Sequence, residues 1–214
     1  MQVIGLGHYS RTGKDTFANA LVAQVIAREG TAKKIPFAKK LKQVCHELYG
    51  WAGLQDMEFY DDKANEHLRD VVIEALGMTP VEIWVAMGTP AVRQNVYQNT
   101  WIDYVLKTDH QCEVLVIPDV RFPNEVEAIR AAGGKLIKIV RPGYGPRNTV
   151  ADKALLGFTD WDLVLGESGD IEHLRYDARH MADAALGLKS WYRQSERQKQ
   201  EALAVEVLPA GVAA

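Results

Sequence analysis

The chain opens on a short apolar run, Val3, Ile4 and Leu6, stopped by Gly7. Between residues 14 and 29 the apolar positions shift to helical spacing. Phe17, Leu21, Val22, Val25 and Ile26 share one face there, and Gly30 ends it. "AKKIPFA" (32–38) reads as a second short strand and "KKLKQVCHELYG" (39–50) as an amphipathic helix. Residues 51–65, "WAGLQDMEFYDDKAN", are polar and turn-like. Helical spacing returns from Glu66 to about Leu76, again from Met78 to Met87 around Pro80, and ends a further helix over Trp101 to Lys107. The clearest strand is "EVLVIPDV" (113–120), apolar on both faces as in a strand covered from two sides. Pro123 opens a helix carrying Val126 and Ile129, stopped by Gly133 and Gly134. "KLIKIV" (135–140) and "WDLVLGE" (161–167) follow as strands, residues 170–186 as a closing helix, and the rest as a polar helix fading into a loose tail.

Short apolar strands alternating with helices predict an α/β fold, a mainly parallel sheet with helices on both faces. The 214 residues fit one sizeable domain, 1–190, with a small helical acceptor-binding or lid region at about 50–105 and a tail at 191–214. A hydrophobic share of 47% and a charged share of 25% are ordinary for a globular chain. The net charge of −3 gives no basic excess for nucleic acid or an anionic membrane. Two cysteines, Cys45 and Cys112, make no disulfide framework, which favours a reducing compartment. "MQVIGLG" carries neither a signal-peptide n-region nor a long apolar stretch, so the expectation is a cytoplasmic protein.

The chemistry starts at "GHYSRTGKDT" (7–16), between the first strand and the first helix. Measured against G-x-x-x-x-G-K-[ST], His8 stands at the first Gly and Asp15 at the hydroxyl residue. Thr16 lies one position further on, as in the G-K-G-T form of nucleoside monophosphate kinases. A phosphate loop needs backbone N–H groups aimed at phosphate oxygens and the positive end of a helix dipole. Gly13 permits close backbone approach, Lys14 supplies a cation for the transferring phosphates, and the Thr16 hydroxyl suits Mg²⁺. By themselves Gly13 and Lys14 read first as a turn and a solvated first-turn lysine; the order strand, loop, helix turns the balance to phosphate binding. Asp119 ends the strand 113–118 and has two readings: an acid presented to a metal ion, or an N-cap for the helix near Pro123.

Several separated blocks resemble one family, the deoxynucleoside monophosphate kinases of tailed bacteriophages. They are "SRTGKDT" (10–16), "PFAKKLK" (36–42), "MGTPAVRQN" (87–95) with "TWIDYV" (100–105), and "IPDVRFPNEVEAI" (117–129) with "GGKLIKIVRP" (133–142). They fall in family order and cover most of residues 1–185. The resemblance implies a P-loop NTPase fold of three layers, α/β/α, like nucleoside monophosphate kinases, and ATP- and Mg²⁺-dependent phosphorylation of a deoxynucleoside monophosphate. It implies that Ser10, Arg11, Thr12, Gly13, Lys14, Asp15, Thr16 and Arg141 hold ATP, and that Thr16 and Asp119 hold the metal. It assigns the acceptor to Phe37, Ala38, Lys42, Lys63, Trp101 and Arg121, and the catalytic cations to Lys14, Arg11 and Arg121. The expected partners are ATP and the monophosphate, with no nucleic acid and no membrane; a homodimer stays open. Two departures stand out: His8 in the loop, and "VADK" (150–153) where the family often has His-x-Ser/Thr-Glu after Arg-Pro.

Plainer readings stand beside several of these. Arg93 reads as a phosphate contact or, equally, as a solvated or ion-pair residue. Trp101, at helical spacing with Tyr104 and Val105, reads first as core and as an acceptor contact only through the resemblance. The six histidines show no metal-ligand spacing, and "KSWYRQSERQKQE" (189–201) is a solvated helix interrupted by acids. Rival functions are another small-molecule kinase on this scaffold, of the phosphomevalonate type, and a P-loop ATPase acting on nucleic acid. The acidic balance counts against the second.

Overall fold

The computed structural model describes residues 1–7, 9–145, 153–166 and 170–204. The strands are β1 (Gln2–Gly7), β2 (Ala32–Lys34), β3 (Val114–Val120), β4 (Lys135–Ile139) and β5 (Leu163–Leu165). The helices are α1 (Lys14–Ile26), α2 (Ala38–Tyr49), α3 (Met57–Asp61), α4 (Pro80–Ala86), α5 (Thr100–Lys107), α6 (Pro123–Ala131), α7 (Ile171–Ala185) and α8 (Glu196–Ala204). The chain divides into two compact units, Met1–Pro36 with Asp109–Ala214, and Phe37–Thr108.

The first unit carries a five-stranded sheet in the order β2-β3-β1-β4-β5. Every pairing is parallel, so neighbouring strands are joined by crossovers rather than hairpins. One face is a single apolar cluster: Phe17, Leu21 and Val25 of α1 and Leu174, Ala178 and Met181 of α7 pack on Ile4, Leu6, Val116, Ile137 and Leu163. α6 covers the other face, where Ile129 meets the sheet beside Gly5 and Leu136. This is the three-layer α/β/α arrangement of P-loop kinases. Expected burial fails at Ile26, which is 56% exposed. The helix ends there, Glu29 turns to φ 62, and the Gly30 N–H bonds back to the Val25 carbonyl.

Two features at the strand ends bear on the site. Gly7 allows a close approach, because a Cβ there would lie 2.2 Å from the ring of Trp161, a side chain with no exposed surface. Trp161 therefore packs on the sheet instead of continuing the strand expected over 161–167. The pairing segment shrinks to β5, and Glu167 lies outside the described residues. At the free edge of β5, the Gln194 side-chain amide exchanges two bonds with the Val164 backbone, at 2.7 and 2.8 Å. That amide stands in for a neighbouring strand and closes the edge.

The second unit is helical and has its own core, formed by Leu41, Cys45, Leu54, Tyr60, Ile83, Trp84 and Trp101. Its helix starts follow the sequence closely: Asp56 accepts from the Phe59 N–H, and Thr79 and Glu82 form a capping box ahead of Pro80. Thus α3 stands within the stretch read as turn-like. The helix expected over 66–76 is instead a single 3₁₀ turn, Glu66–Asp70, followed by an antiparallel bridge between Ile73 and Met78. The β-branched run Val71, Val72, Ile73 disfavours helix, and Gly77 at φ 63 turns the chain back. After α4 the chain widens into a π-helical segment, Met87–Gln94, containing Pro90, which has no N–H to continue the α ladder. Among the described residues, no helix is long and apolar enough to cross a membrane.

Candidate active site

β1 runs through the middle of the sheet, and the loop that follows it delivers α1. Gly13 holds the N-cap position at φ 102, a left-handed conformation that a side chain resists. A Cβ there would also lie 2.8 Å from Leu174. Two separate constraints therefore call for glycine. Gly13 accepts the Phe17 N–H at 2.9 Å, so the helix begins immediately beyond it. Lys14 is only 6% exposed and its ammonium donates to the Tyr9 carbonyl, which also accepts the Thr12 hydroxyl at 3.2 Å. The lysine is folded into the loop rather than solvated. Arg11 sits at φ 64, the loop's second left-handed residue. Ser10 is half-buried and Thr16, in the first turn of α1, is half-buried too. Asp15 faces solvent and pairs with Lys34 of β2 at 3.2 Å. His8 lies outside the described residues.

Parallel register ties this loop to the neighbouring strands. Gly7 is abreast of Val120 on β3 and of Lys138 on β4. The ladder between β1 and β3 slips between Gly5 and Gly7, where Pro118 interrupts a central strand. Asp119 follows that irregularity, half-buried at the carboxyl rim, where open α/β sheets bind ligands. Its cap reading does not hold the cap position: Phe122 does, and Glu125 takes the N–H groups of Arg121 and Phe122 at 2.7 and 3.1 Å. Glu125 is 2% exposed, a carboxylate committed to the start of α6. Arg121, between β3 and α6, is half-buried. Arg141, just past β4, donates to the Arg11 carbonyl at 3.4 Å and lies 4.4 Å over the Tyr144 ring. The structure thus gathers the loop, Asp119, Arg121 and Arg141 at one rim. Tyr9 and Lys138 stand there as well, although only a charge inside the apolar run "KLIKIV" marked Lys138 in the sequence. Of "VADK", only Lys153 is described, and it is exposed.

The remaining candidates belong to the helical unit. Phe37 is 1% exposed at the start of α2, with Ala38 half-buried after it. Lys42 lies one turn on, its ammonium 4.6 Å over the Trp84 ring. Lys63 is exposed in the turn after α3. Trp101, read as either acceptor contact or core, is a core ring: it is 6% exposed and its indole N–H donates to the Gly88 carbonyl at 3.1 Å. Beside it in the same core, burial pushes the Cys45 thiol up to about 11, so it stays protonated.

A family profile described as deoxynucleotide monophosphate kinase matches residues 54–177. The chain belongs to this family. Membership makes it a phosphotransferase, and the matched stretch takes in Trp101, Asp119, Arg121 and Arg141 but not the loop at 10–16. The chain is 32% identical over 188 residues to a putative deoxynucleotide monophosphate kinase of Acanthamoeba polyphaga mimivirus, covering 80% of this chain and 91% of that protein. It is 33% identical over 148 residues to the deoxynucleotide monophosphate kinase of Enterobacteria phage T4, covering 63% and 61% of the two chains. Kinases of this kind combine an anion cradle with hard oxygen donors for a divalent ion. In the first unit of this deoxynucleotide monophosphate kinase family member the candidates for these two parts are the loop before α1 and, for the oxygen donors, Thr16 and Asp119, both half-buried.

Proposed function

We propose that the protein transfers the γ-phosphoryl group of Mg-ATP to a deoxynucleoside monophosphate, yielding the diphosphate and ADP. The observation that carries this reading is the loop itself: Gly13 in the left-handed conformation at the head of α1, with Lys14 folded beneath it. An in-line phosphoryl transfer asks the protein for alignment, charge neutralisation and exclusion of water. Backbone N–H groups around Gly13 cradle the ATP phosphates, and Lys14 exchanges the Tyr9 carbonyl for a phosphate oxygen. Arg11, Arg121 and Arg141 neutralise charge on the phosphates, and Ser10 and Thr12 complete the loop. Thr16 and Asp119 would hold Mg²⁺, which would supply neutralisation of the charge on the ATP phosphates. Phe37, Ala38 and Lys42 take the acceptor, with Lys63 a further cation for its phosphate. No general base is required, because an acceptor phosphate oxygen is anionic near neutral pH.

We infer a role in supplying precursors for viral DNA synthesis, a reading supported by the viral source of the two relatives. The test is incubation with Mg-ATP and each deoxynucleoside monophosphate in turn, scored for diphosphate and ADP. Diphosphate formed in proportion to ADP supports the reading. ATP turnover that ignores every monophosphate but rises with added DNA refutes it in favour of a nucleic-acid ATPase. Turnover only with a non-nucleotide phosphate refutes it in favour of another small-molecule kinase.

A further inference from the structure

We propose that Lys138 is a positioning residue for the phosphate loop, acting through the Tyr9 ring on the carbonyl where Lys14 rests. The inference builds on the ATP-binding role proposed for that loop.

Lys138 is the penultimate residue of β4, abreast of Gly7, the last residue before the loop. Side chains alternate along a strand. Ile137 and Ile139 belong to the apolar cluster with α1 and α7, so Lys138 stands on the opposite face. There it is only 5% exposed, an unusual place for a lysine. Its ammonium lies 5.0 Å from the centroid of the Tyr9 ring, and Tyr9 is itself 4% exposed. A cation over an aromatic face is attracted by the ring quadrupole, and more strongly where water is excluded. The Tyr9 carbonyl in turn receives the Lys14 ammonium and the Thr12 hydroxyl. One strand residue, one ring and one carbonyl therefore link the rigid sheet to the cation that meets phosphate.

The consequence is specific. When ATP arrives, Lys14 leaves the Tyr9 carbonyl for a phosphate oxygen, and the loop has to keep its shape while that bond is exchanged. A Tyr9 held from the sheet side keeps the loop in place. Without the hold, the loop is ordered at the moment of binding, and ATP affinity drops while the acceptor's does not.

The experiment uses the full chain and measures ATP binding without acceptor, the KM of each substrate, and Tm. The variants are Lys138→Met, Lys138→Arg, Tyr9→Leu, Tyr9→Phe and the double Lys138→Met/Tyr9→Leu. Lys138→Met is expected to weaken ATP binding roughly tenfold, with the acceptor KM within about twofold of wild type. Lys138→Arg keeps a cation over the ring and restores most of the affinity. Tyr9→Leu reproduces the loss, Tyr9→Phe does not, and the double variant loses no more than either single one. A lower Tm with unchanged ATP affinity in Lys138→Met overturns the proposal by making the lysine purely structural. An ATP defect in Lys138→Met that Tyr9→Leu lacks overturns it by giving the lysine its own contact with phosphate. If Lys138→Met does not fold, Tyr9→Leu against Tyr9→Phe decides, and equal affinities overturn it. Wild-type protein that binds no ATP refutes the proposed function as well, whereas normal ATP binding in wild type and every variant refutes the role of Lys138 alone.

Discussion

Replacing Trp101 separates a core ring from a substrate contact. Trp101 is 6% exposed among Leu41, Cys45, Ile83 and Trp84, and its N–H is bonded to the Gly88 carbonyl at 3.1 Å. Trp101→Ala removes the ring and leaves a cavity, at a cost of about 3–5 kcal/mol. Loss of the bond to Gly88 contributes only about 1 kcal/mol of this kind of penalty, so packing decides the outcome. For a chain of this size each kcal/mol lowers Tm by about 2–4 °C, which places the alanine variant roughly 6–20 °C below wild type. Trp101→Phe keeps most of the packing and loses the hydrogen bond, so a loss of about 1–2 kcal/mol is expected. The assay is thermal unfolding by circular dichroism, paired with KM values for ATP and for the monophosphate well below the transition. Both KM values should stay close to wild type in Trp101→Phe. The reasoning is refuted if Trp101→Ala melts within about 2 °C of wild type while the monophosphate KM alone rises by about tenfold or more, the behaviour of a base-stacking ring.

Lys14→Ala should cut turnover by on the order of 10²–10³-fold in the kinase assay, and retention of more than about a tenth of wild-type activity contradicts its role in the loop. Asp119→Asn should lower turnover with partial recovery at raised Mg²⁺ and almost no change in Tm, because Glu125 caps α6. Glu125→Ala should do the reverse, destabilising by about 1–3 kcal/mol through two unpartnered N–H groups; a Tm unchanged by that substitution contradicts the assignment. Lys189 and Arg28 hold the Asp183 carboxyl below the usual carboxylate range. Its stabilising effect is therefore complete above the unfolded value of about 3.9 and is lost as pH falls through the lower folded value. Asp183→Asn should flatten the fall in stability below about pH 4, relative to wild type, in acid-unfolding curves; identical curves would contradict the pairing.

Much of this architecture was open to reading along the chain because it rests on local periodicity. The run at 113–120, the helical spacing from Lys14 and the Pro123 and Gly133 punctuation mark elements whose signals lie within a dozen residues. The loop was equally legible: Gly13 stands between a strand and a helix, and only glycine suits φ 102. Where local signals competed, reading them failed. The stretch 66–76 carries helical spacing, but β-branched residues and Gly77 direct it into a turn and a bridge.

Other features exist only once distant segments meet. No local pattern specifies the strand order β2-β3-β1-β4-β5, and it is that order which sets Asp119 and Lys138 on either side of the loop. An aspartate four residues before the first residue of a helix reads as a cap; folding gives that duty to Glu125, which reaches back from the first turn, and places Asp119 at the rim. Trp101 has one helical periodicity and two faces to offer, and its inward place shows only in the fold, where its indole N–H donates to the Gly88 carbonyl of the π-helical segment. A lysine in an apolar strand is legible as a charge but not as a neighbour of Tyr9, because that contact joins residues 129 positions apart, 9 and 138. Periodicity is a property of neighbours in sequence, and burial and electrostatics are properties of neighbours in space.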